Sequence, residues 1–218
     1  VIVAIDTSSS LTSVAAVDGD WVVERSHEDA RRHAEVLAPL LAEVVAAIDV
    51  AGVRVVACGV GPGPYTGLRV GIAAAIALGL AWDVPVVGLC SLDAIAAQRR
   101  DGGSVGDDLL VASDARRREA YWARYDPAGE RIDGPRVSPT ADVPAPLDQP
   151  HAEWVARCVA RHLAGGAAEA VALDLPLDLP LDRHGDDSGA TAAALAGVGL
   201  LAPRPLYLRR PDVTMAAP

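Results

Sequence analysis

Along the first half of the chain the apolar positions change period several times, and each change marks an element. Val1 to Ile5, Thr12 to Val17 and Trp21 to Glu24 read as three short strands, joined by the turn-rich stretch Asp6 to Ser10 and by Asp18-Gly19-Asp20. Leu37, Leu40, Leu41, Val44 and Ile48 follow at i, i+3, i+4, i+7 and i+11, the spacing of one helical face. Pro39 lies inside that pattern and predicts a kink or a later start. Val53 to Val60 is a β-branched run bounded by glycine. A helix from Thr66 to Trp82, a strand from Val84 to Leu89 and a helix from Ser91 to Arg99 come after it. The resulting order, βββαβαβα, is an antiparallel meander continued by parallel crossover units.

That order predicts an α/β lobe of the ribonuclease-H-like type found in actin, Hsp70 and sugar kinases. The chain then repeats itself at an offset of 108 residues: LLVASD at 109–114 falls on VIVAID at 1–6, pairing Asp114 with Asp6, and Asp126 falls on Asp18. The second copy is reduced. After its three strands come a proline-rich connection from Pro135 to Pro150, a helix from Ala152 to Leu163, Gly165-Gly166 and a short strand from Ala170 to Leu173. A last helix from Ser188 to Leu201 follows. Where the first copy has GVGPGPYTG, the second has LDLPLDLP. The division expected is an N-terminal lobe at 1–104, a reduced C-terminal lobe at 105–204 and a tail at 205–218.

Composition narrows the chemistry. At 51% hydrophobic and 22% charged residues the chain is globular, and with 4% aromatics and no Phe its interior must be packed by aliphatic side chains and alanine. All 19 cations are arginines, which removes the P-loop lysine, the Schiff-base lysine and a lysine general base. The net charge of -10 repels nucleic-acid phosphate over the surface as a whole, so if the function concerns nucleic acid another chain is expected to hold most of it. Cys58, Cys90 and Cys158 are widely spaced and odd in number, as buried thiols would be. The longest apolar run, Val70 to Trp82, is thirteen residues against the roughly 20 of a membrane span. Val1 to Asp6 lacks the basic flank of a leader, and a cytoplasmic protein with no membrane partner is expected.

Each candidate motif carries a plain reading beside the functional one. Gly59 to Gly67 joins a strand to a helix, where backbone amides could cradle phosphate, but it matches neither nucleotide fingerprint and its plain reading, a tight strand-to-helix turn, is favoured. Asp6-Thr7-Ser8 could hold Mg²⁺ or phosphate, or form a hydrogen-bonded turn. His27-Glu28-Asp29-Ala30-Arg31 begins like a zinc-protease HExxH helix, yet Arg31 stands at the second ligand position. Asp174, Asp178, Asp182, His184, Asp186 and Asp187 sit in leucine-proline alternation that suits a solvated loop. Arg116-Arg117-Arg118 reads as a strand connection with a minor option of touching RNA phosphate. In the helix 66–82, Gly67, Gly71, Ala75 and Gly79 form a smooth stripe beside Leu68, Ile72, Ile76 and Leu80. Such a helix needs cover on nearly all sides, from this chain or from a partner.

VIVAIDTSS at the start, RRHAEVLAPLL at 31–41, the GPGPYTGLRVG block within 59–96, DARRREAYWARY at 114–125 and PLYLRRPD at 205–212 resemble the TsaB (YeaZ) family in order and spacing. The resemblance is strongest over 1–126 and thin from 135 to 200. It implies the dimerisation subunit of the tRNA threonylcarbamoyladenosine complex, a shortened paralogue of the catalytic subunit TsaD. That subunit transfers threonylcarbamoyl to the adenosine next to the anticodon in tRNAs reading codons that begin with A. It binds metal through an H-x-x-x-H pair, and the matching stretch here, Ser91 to Ile95, has neither histidine.

The resemblance implies further that the paralogues pair through helices of their first lobes, with Leu37, Leu41, Val44, Leu68, Ile72, Ala75, Ile76 and Gly79 as interface. A TsaE-like ATPase would be the third component and tRNA an indirect partner. ATP or ADP and metal would reside on the partner subunits, with no cofactor held by this chain. Whether the isolated chain is a homodimer or a monomer is left open by the sequence. Two other classes stay open: a glycoprotease-like peptidase and a free-standing sugar- or acetate-kinase-like ATPase.

Overall fold

A computed structural model of the chain describes residues 1–103, 107–164 and 200–208. β1 (Ile2–Asp6), β2 (Leu11–Asp18) and β3 (Trp21–Glu28) form the meander, and β4 (Val55–Gly59) and β5 (Val86–Leu89) extend it in parallel on the other side. The order across the sheet is β3-β2-β1-β4-β5. The helices α1 (His33–Val45) and α2 (Tyr65–Trp82) are its crossovers, and α3 (Ser91–Asp101) follows β5. Central strands covered on both faces need no polar alternation. Every residue of β1 and β4 is accordingly buried, whereas β3 is an exposed edge.

Successive residues of β1 feed opposite layers. Val3 and Ile5 join Leu37, Val44, Leu68 and Ile72 beneath α1 and α2. Ile2 and Ala4 join Ala94, Ala97, Val155 and Val159 on the far face. That far layer is built from α3 and α4 (Ala152–Ala164), and α4 lies against β1, β2 and β4. The helix that the sequence assigns to the second lobe therefore completes the first, because Ala152, Val155, Ala156 and Val159 bury one amphipathic face on the β1–β4 surface.

The second copy contributes an antiparallel sheet of β6 (Leu109–Asp114), β7 (Glu119–Tyr125) and β8 (Arg131–Pro139). β8 runs through Pro135, where the sequence predicts a connection; it pairs only with β7, so a proline that cannot donate is tolerated on this edge. Leu147 makes an isolated parallel bridge to Ala112 on the free side of β6, the side on which β4 pairs with β1 in the first copy. A buried cluster ties this sheet to α3. The Tyr125 hydroxyl donates to Asp93 Oδ1 at 2.6 Å and Arg131 stands 3.5 Å from the same oxygen. Burial pushes the Asp93 carboxyl up to about 6, against the pull of Arg131.

Several expectations change in detail. β3 continues to Glu28, so His27 and Glu28 lie on a strand and no metalloprotease helix starts there. α1 starts at His33 and carries Pro39 inside it. Residues 205–208 belong to the fold: Leu206 N–H donates to the Val60 carbonyl at 2.7 Å, and Leu201 pairs with Gly88. The strand 170–173, the bulk of the helix 188–201, Gly165-Gly166 and the acidic positions from Asp174 to Asp187 lie outside the described residues.

The expected interface positions divide sharply. Leu37, Val44, Leu68, Ile72, Ala75 and Gly79 are buried against the chain's own sheet, which excludes them as an exposed contact surface. Leu41 and Ile76 are half-buried at the margin of the same core. The cause is geometric: both stripes of α2 are apolar, and the one holding the glycines comes closest to the strands, taking Leu68 and Ile72 down with it. Leu68→Glu, at a site with no exposure, is expected to cost about 4 kcal/mol or more. Leu80→Glu, at a site 60% exposed, should stay within about 0.5 kcal/mol of wild type. Urea unfolding followed by circular dichroism separates the two, and equal midpoints for both variants would contradict this placement of the stripes.

Candidate functional site

The loop between β4 and α2 is shaped by backbone approach. Gly61 has φ +101° and precedes a cis Pro62. A Cβ on Gly63 would stand 2.3 Å from the Ser8 carbonyl oxygen, and one on Gly67 would stand 2.5 Å from that of Thr7. The glycines thus let the head of α2 rest on the β1–β2 turn. Thr7 seals the contact by donating its hydroxyl to the Gly67 carbonyl at 2.7 Å.

Asp6 sits at the centre of this junction. Its Oδ1 accepts from the Ser8 N–H at 2.8 Å and the Ser8 hydroxyl at 2.7 Å, and its Oδ2 accepts from the Ser91 hydroxyl at 2.7 Å. Ser91 Oγ in turn accepts from the Gly61 N–H at 3.2 Å. Burial pushes the Asp6 carboxyl up to about 6, with the Ser8 and Ser91 bonds opposing. Of the two readings open for Asp6-Thr7-Ser8, the structure has the hydrogen-bonded turn, used as a hub joining β1, the glycine loop and α3. Ser91 and Ile95, the positions where a histidine pair would stand, serve this hub and the core respectively.

A cleft of about 510 Å³ opens between the start of α1, the head of α2 and the β6–β7 turn. Arg116, Arg117 and Arg118 all adopt left-handed φ (60°, 55° and 61°), and the first two line the cleft. His33 lines it as well. Its Nδ1 shares a 2.7 Å hydrogen bond with Thr12 Oγ1, while Nε2 has no hydrogen-bond partner. Burial lowers the pKa of this imidazole, reinforced by Arg116, so the neutral form is favoured. Thr12 is wholly buried in β2, so its hydroxyl orients the ring and cannot meet a substrate. Tyr65 stacks on Tyr207 at 4.8 Å with the Arg69 guanidinium 3.9 Å above the Tyr65 ring, and Arg69 donates to the Tyr207 hydroxyl at 3.3 Å. This clasp fastens the segment 205–208 to α2. The sequence marks His33 and Tyr207 only as letters within the RRHAEVLAPLL and PLYLRRPD blocks.

The other face of α2 is the larger anomaly. The helix is long and apolar enough to cross a membrane by length and composition, yet only 33% of it is buried and its inner stripe is packed on the sheet. Arg69 is its sole charged residue. Ala73, Ala77, Leu80 and Ala81 are exposed, and Ala38, Pro39 and Ala42 of the adjoining α1 are exposed too. The side of α2 turned away from the sheet is thus largely alanine and leucine.

The two sheets and the crossover order define a ribonuclease-H-like α/β protein of the actin and sugar-kinase class, with its second copy reduced. A family profile described as TsaD, tRNA N6-adenosine threonylcarbamoyltransferase, matches residues 26–172, and the chain belongs to this family in its TsaB/YeaZ branch. It is 49% identical over 147 residues to an uncharacterized protein of Mycobacterium tuberculosis (strain ATCC 25618 / H37Rv), covering 65% of this chain and 66% of that one. It is 33% identical over 128 residues to the tRNA threonylcarbamoyladenosine biosynthesis protein TsaB of Escherichia coli (strain K12), covering 57% of this chain and 54% of that protein. The match thus spans about half to two thirds of the length of these relatives. YeaZ from Pseudomonas aeruginosa superimposes with a TM-score of 0.65 at 26% identity, over 76% of this chain and 93% of that structure.

The raised Asp6 carboxyl has a signed consequence. Its folded value, about 6, lies above the usual aspartate value of 3.8, so between these pH values the folded state holds a proton that the unfolded chain releases. The stability it confers is present at low pH and lost as pH rises through 6. From pH 8 to pH 5, wild type should gain on the order of 1 kcal/mol relative to Asp6→Asn. Urea midpoints of both proteins at the two pH values test this, and a pH-independent difference would refute it.

Proposed function

We propose that this chain is a non-catalytic subunit in the biosynthesis of threonylcarbamoyladenosine in tRNA. It acts by pairing with a TsaD-like catalytic paralogue through the outward face of α2 and the adjoining surface of α1. The observation that carries this reading is the exposed Ala73–Ala77–Leu80 face on an otherwise apolar helix that its own fold covers on one side only. Small residues along such a face let a second helix approach closely, and one leucine supplies an anchor.

Support comes also from the junction beneath. Asp6 has both oxygens bonded to Ser8 and Ser91, which favours a structural role for this carboxylate. The names of two relatives, tRNA threonylcarbamoyladenosine biosynthesis protein TsaB, support the pathway part of this reading. In this reading the metal, the nucleotide and the acyl chemistry belong to the paralogue and to a TsaE-like ATPase.

Analytical ultracentrifugation of this chain mixed with the paralogue of the same organism is the test. A one-to-one complex is expected for wild type, and Ala77→Glu and Leu80→Glu should weaken it at least tenfold with unchanged circular dichroism. Absence of association at micromolar concentrations, or association that both variants retain, would overturn the proposal. A self-associated species that does not exchange with the paralogue would identify the face as a homodimer contact instead.

A further inference from the structure

At the end of the sheet opposite Asp6, a groove of about 530 Å³ runs between the β2–β3 turn, the start of β4, the end of α3 and the outer side of α4. Four arginines line it: Arg54 before β4, Arg100 on α3, and Arg157 and Arg161 one turn apart on α4. Two acids, Asp18 and Asp101, share the lining, which leaves a cationic excess in a chain whose net charge is -10. Arg100 is committed to the fold, donating to the Pro127 carbonyl at 2.9 Å and to that of Asp126. Arg157 pairs with Glu153 at 2.8 Å and lies 5.6 Å from the centre of the Trp154 ring, which forms part of the groove wall. Arg54 and Arg161 are exposed, and one guanidinium nitrogen of Arg161 donates to Cys158 Sγ at 3.6 Å.

We infer that this groove binds the phosphate backbone of RNA, with Arg54 and Arg161 meeting phosphates and Trp154 offering its ring to an unpaired base. Arginine forks suit phosphate oxygens, and an aromatic wall flanked by cations is the usual platform for single-stranded RNA. The inference rests on the proposed role in tRNA modification for the identity of the RNA. It adds that this subunit contributes binding surface of its own. The placement fits: α3 and α4 cover the face of the sheet opposite α1 and α2, so a paralogue seated on α2 leaves the groove open.

The double variant Arg54→Glu/Arg161→Glu, together with Trp154→Ala, tests it by fluorescence anisotropy with fluorescein-labelled unmodified tRNA. Titrations use the chain alone and the chain with its paralogue, across a salt series. The double variant should lose about tenfold in affinity and reduce the slope of log K against log salt by about two. Trp154→Ala should lose affinity with the slope unchanged. Sedimentation with the paralogue and the circular-dichroism spectrum should match wild type for both. Unchanged affinity and slope, in the chain alone and in the complex, would overturn the inference. Loss of the paralogue by the double variant with tRNA affinity preserved would also overturn it, showing a contact for an acidic protein surface. If wild type fails to pair with the paralogue, the proposed function falls, and the titration of the chain alone still decides the groove.

Discussion

The close approach of α2 to the β1–β2 turn is the constraint from which most of this structure follows. A Cβ at Gly71 would stand 2.3 Å from Thr7 Oγ1, and one at Gly67 would meet the Thr7 carbonyl. At that separation Leu68, Ile72 and Ala75 reach the strands and fill the interior. Lowering one side of a helix onto a sheet leaves the other side out, and here the exposed side is alanine and leucine. A helix that solvent alone faced would carry charge there. Its composition suits the apolar, closely fitting partner proposed for it.

The duplication shows how one local device serves two ends. Asp6 Oδ1 accepts from the N–H of Ser8 at 2.8 Å, and Asp114 Oδ1 accepts from the N–H of Arg116 at the same distance. In the first copy this turn is buried under the glycine loop and fixes the junction of three elements. In the second it is exposed, and three arginines continue from it in left-handed conformation at the edge of the cleft. The described part of the second sheet has no crossover helix lying only on it. It leans instead on α3 through Tyr125, Arg131 and Asp93, while α4 crosses to the first sheet. The buried ion pair is a registration device as much as a source of stability, since removing either partner would leave the other charged and uncompensated.

Much of the first lobe was legible because periodicity and turn chemistry agree there. The order of eight elements, the turn at Asp6 and the tight glycine loop all follow from local pattern. Three things were not readable, for physical reasons. Leu68 and Ile72 could be assigned outward because both long stripes of α2 are apolar, and only the depth permitted by Gly67 and Gly71 decides which one enters the core. Likewise α4 shows a clear amphipathic face, yet a face does not name the sheet that will receive it. The arginine groove was invisible for a related reason. Arg54, Arg100 and Arg161 lie on three elements far apart in sequence, and only the docking of α4 beside α3 brings them to one place.

That docking links the two proposed surfaces. The first sheet has two layers, and the chain has made them chemically unlike: α1 and α2 present alanine and leucine outward, while α3 and α4 present arginine at one end. An apolar surface associates where shape is complementary and water is excluded, and a cationic groove acts at longer range and weakens with salt. Placing them on opposite faces of one sheet lets a protein partner be held on one side without desolvating the charges needed on the other. With Asp6 closed in its hub, the two proposed surfaces sit on either side of one sheet, which fixes the distance between them.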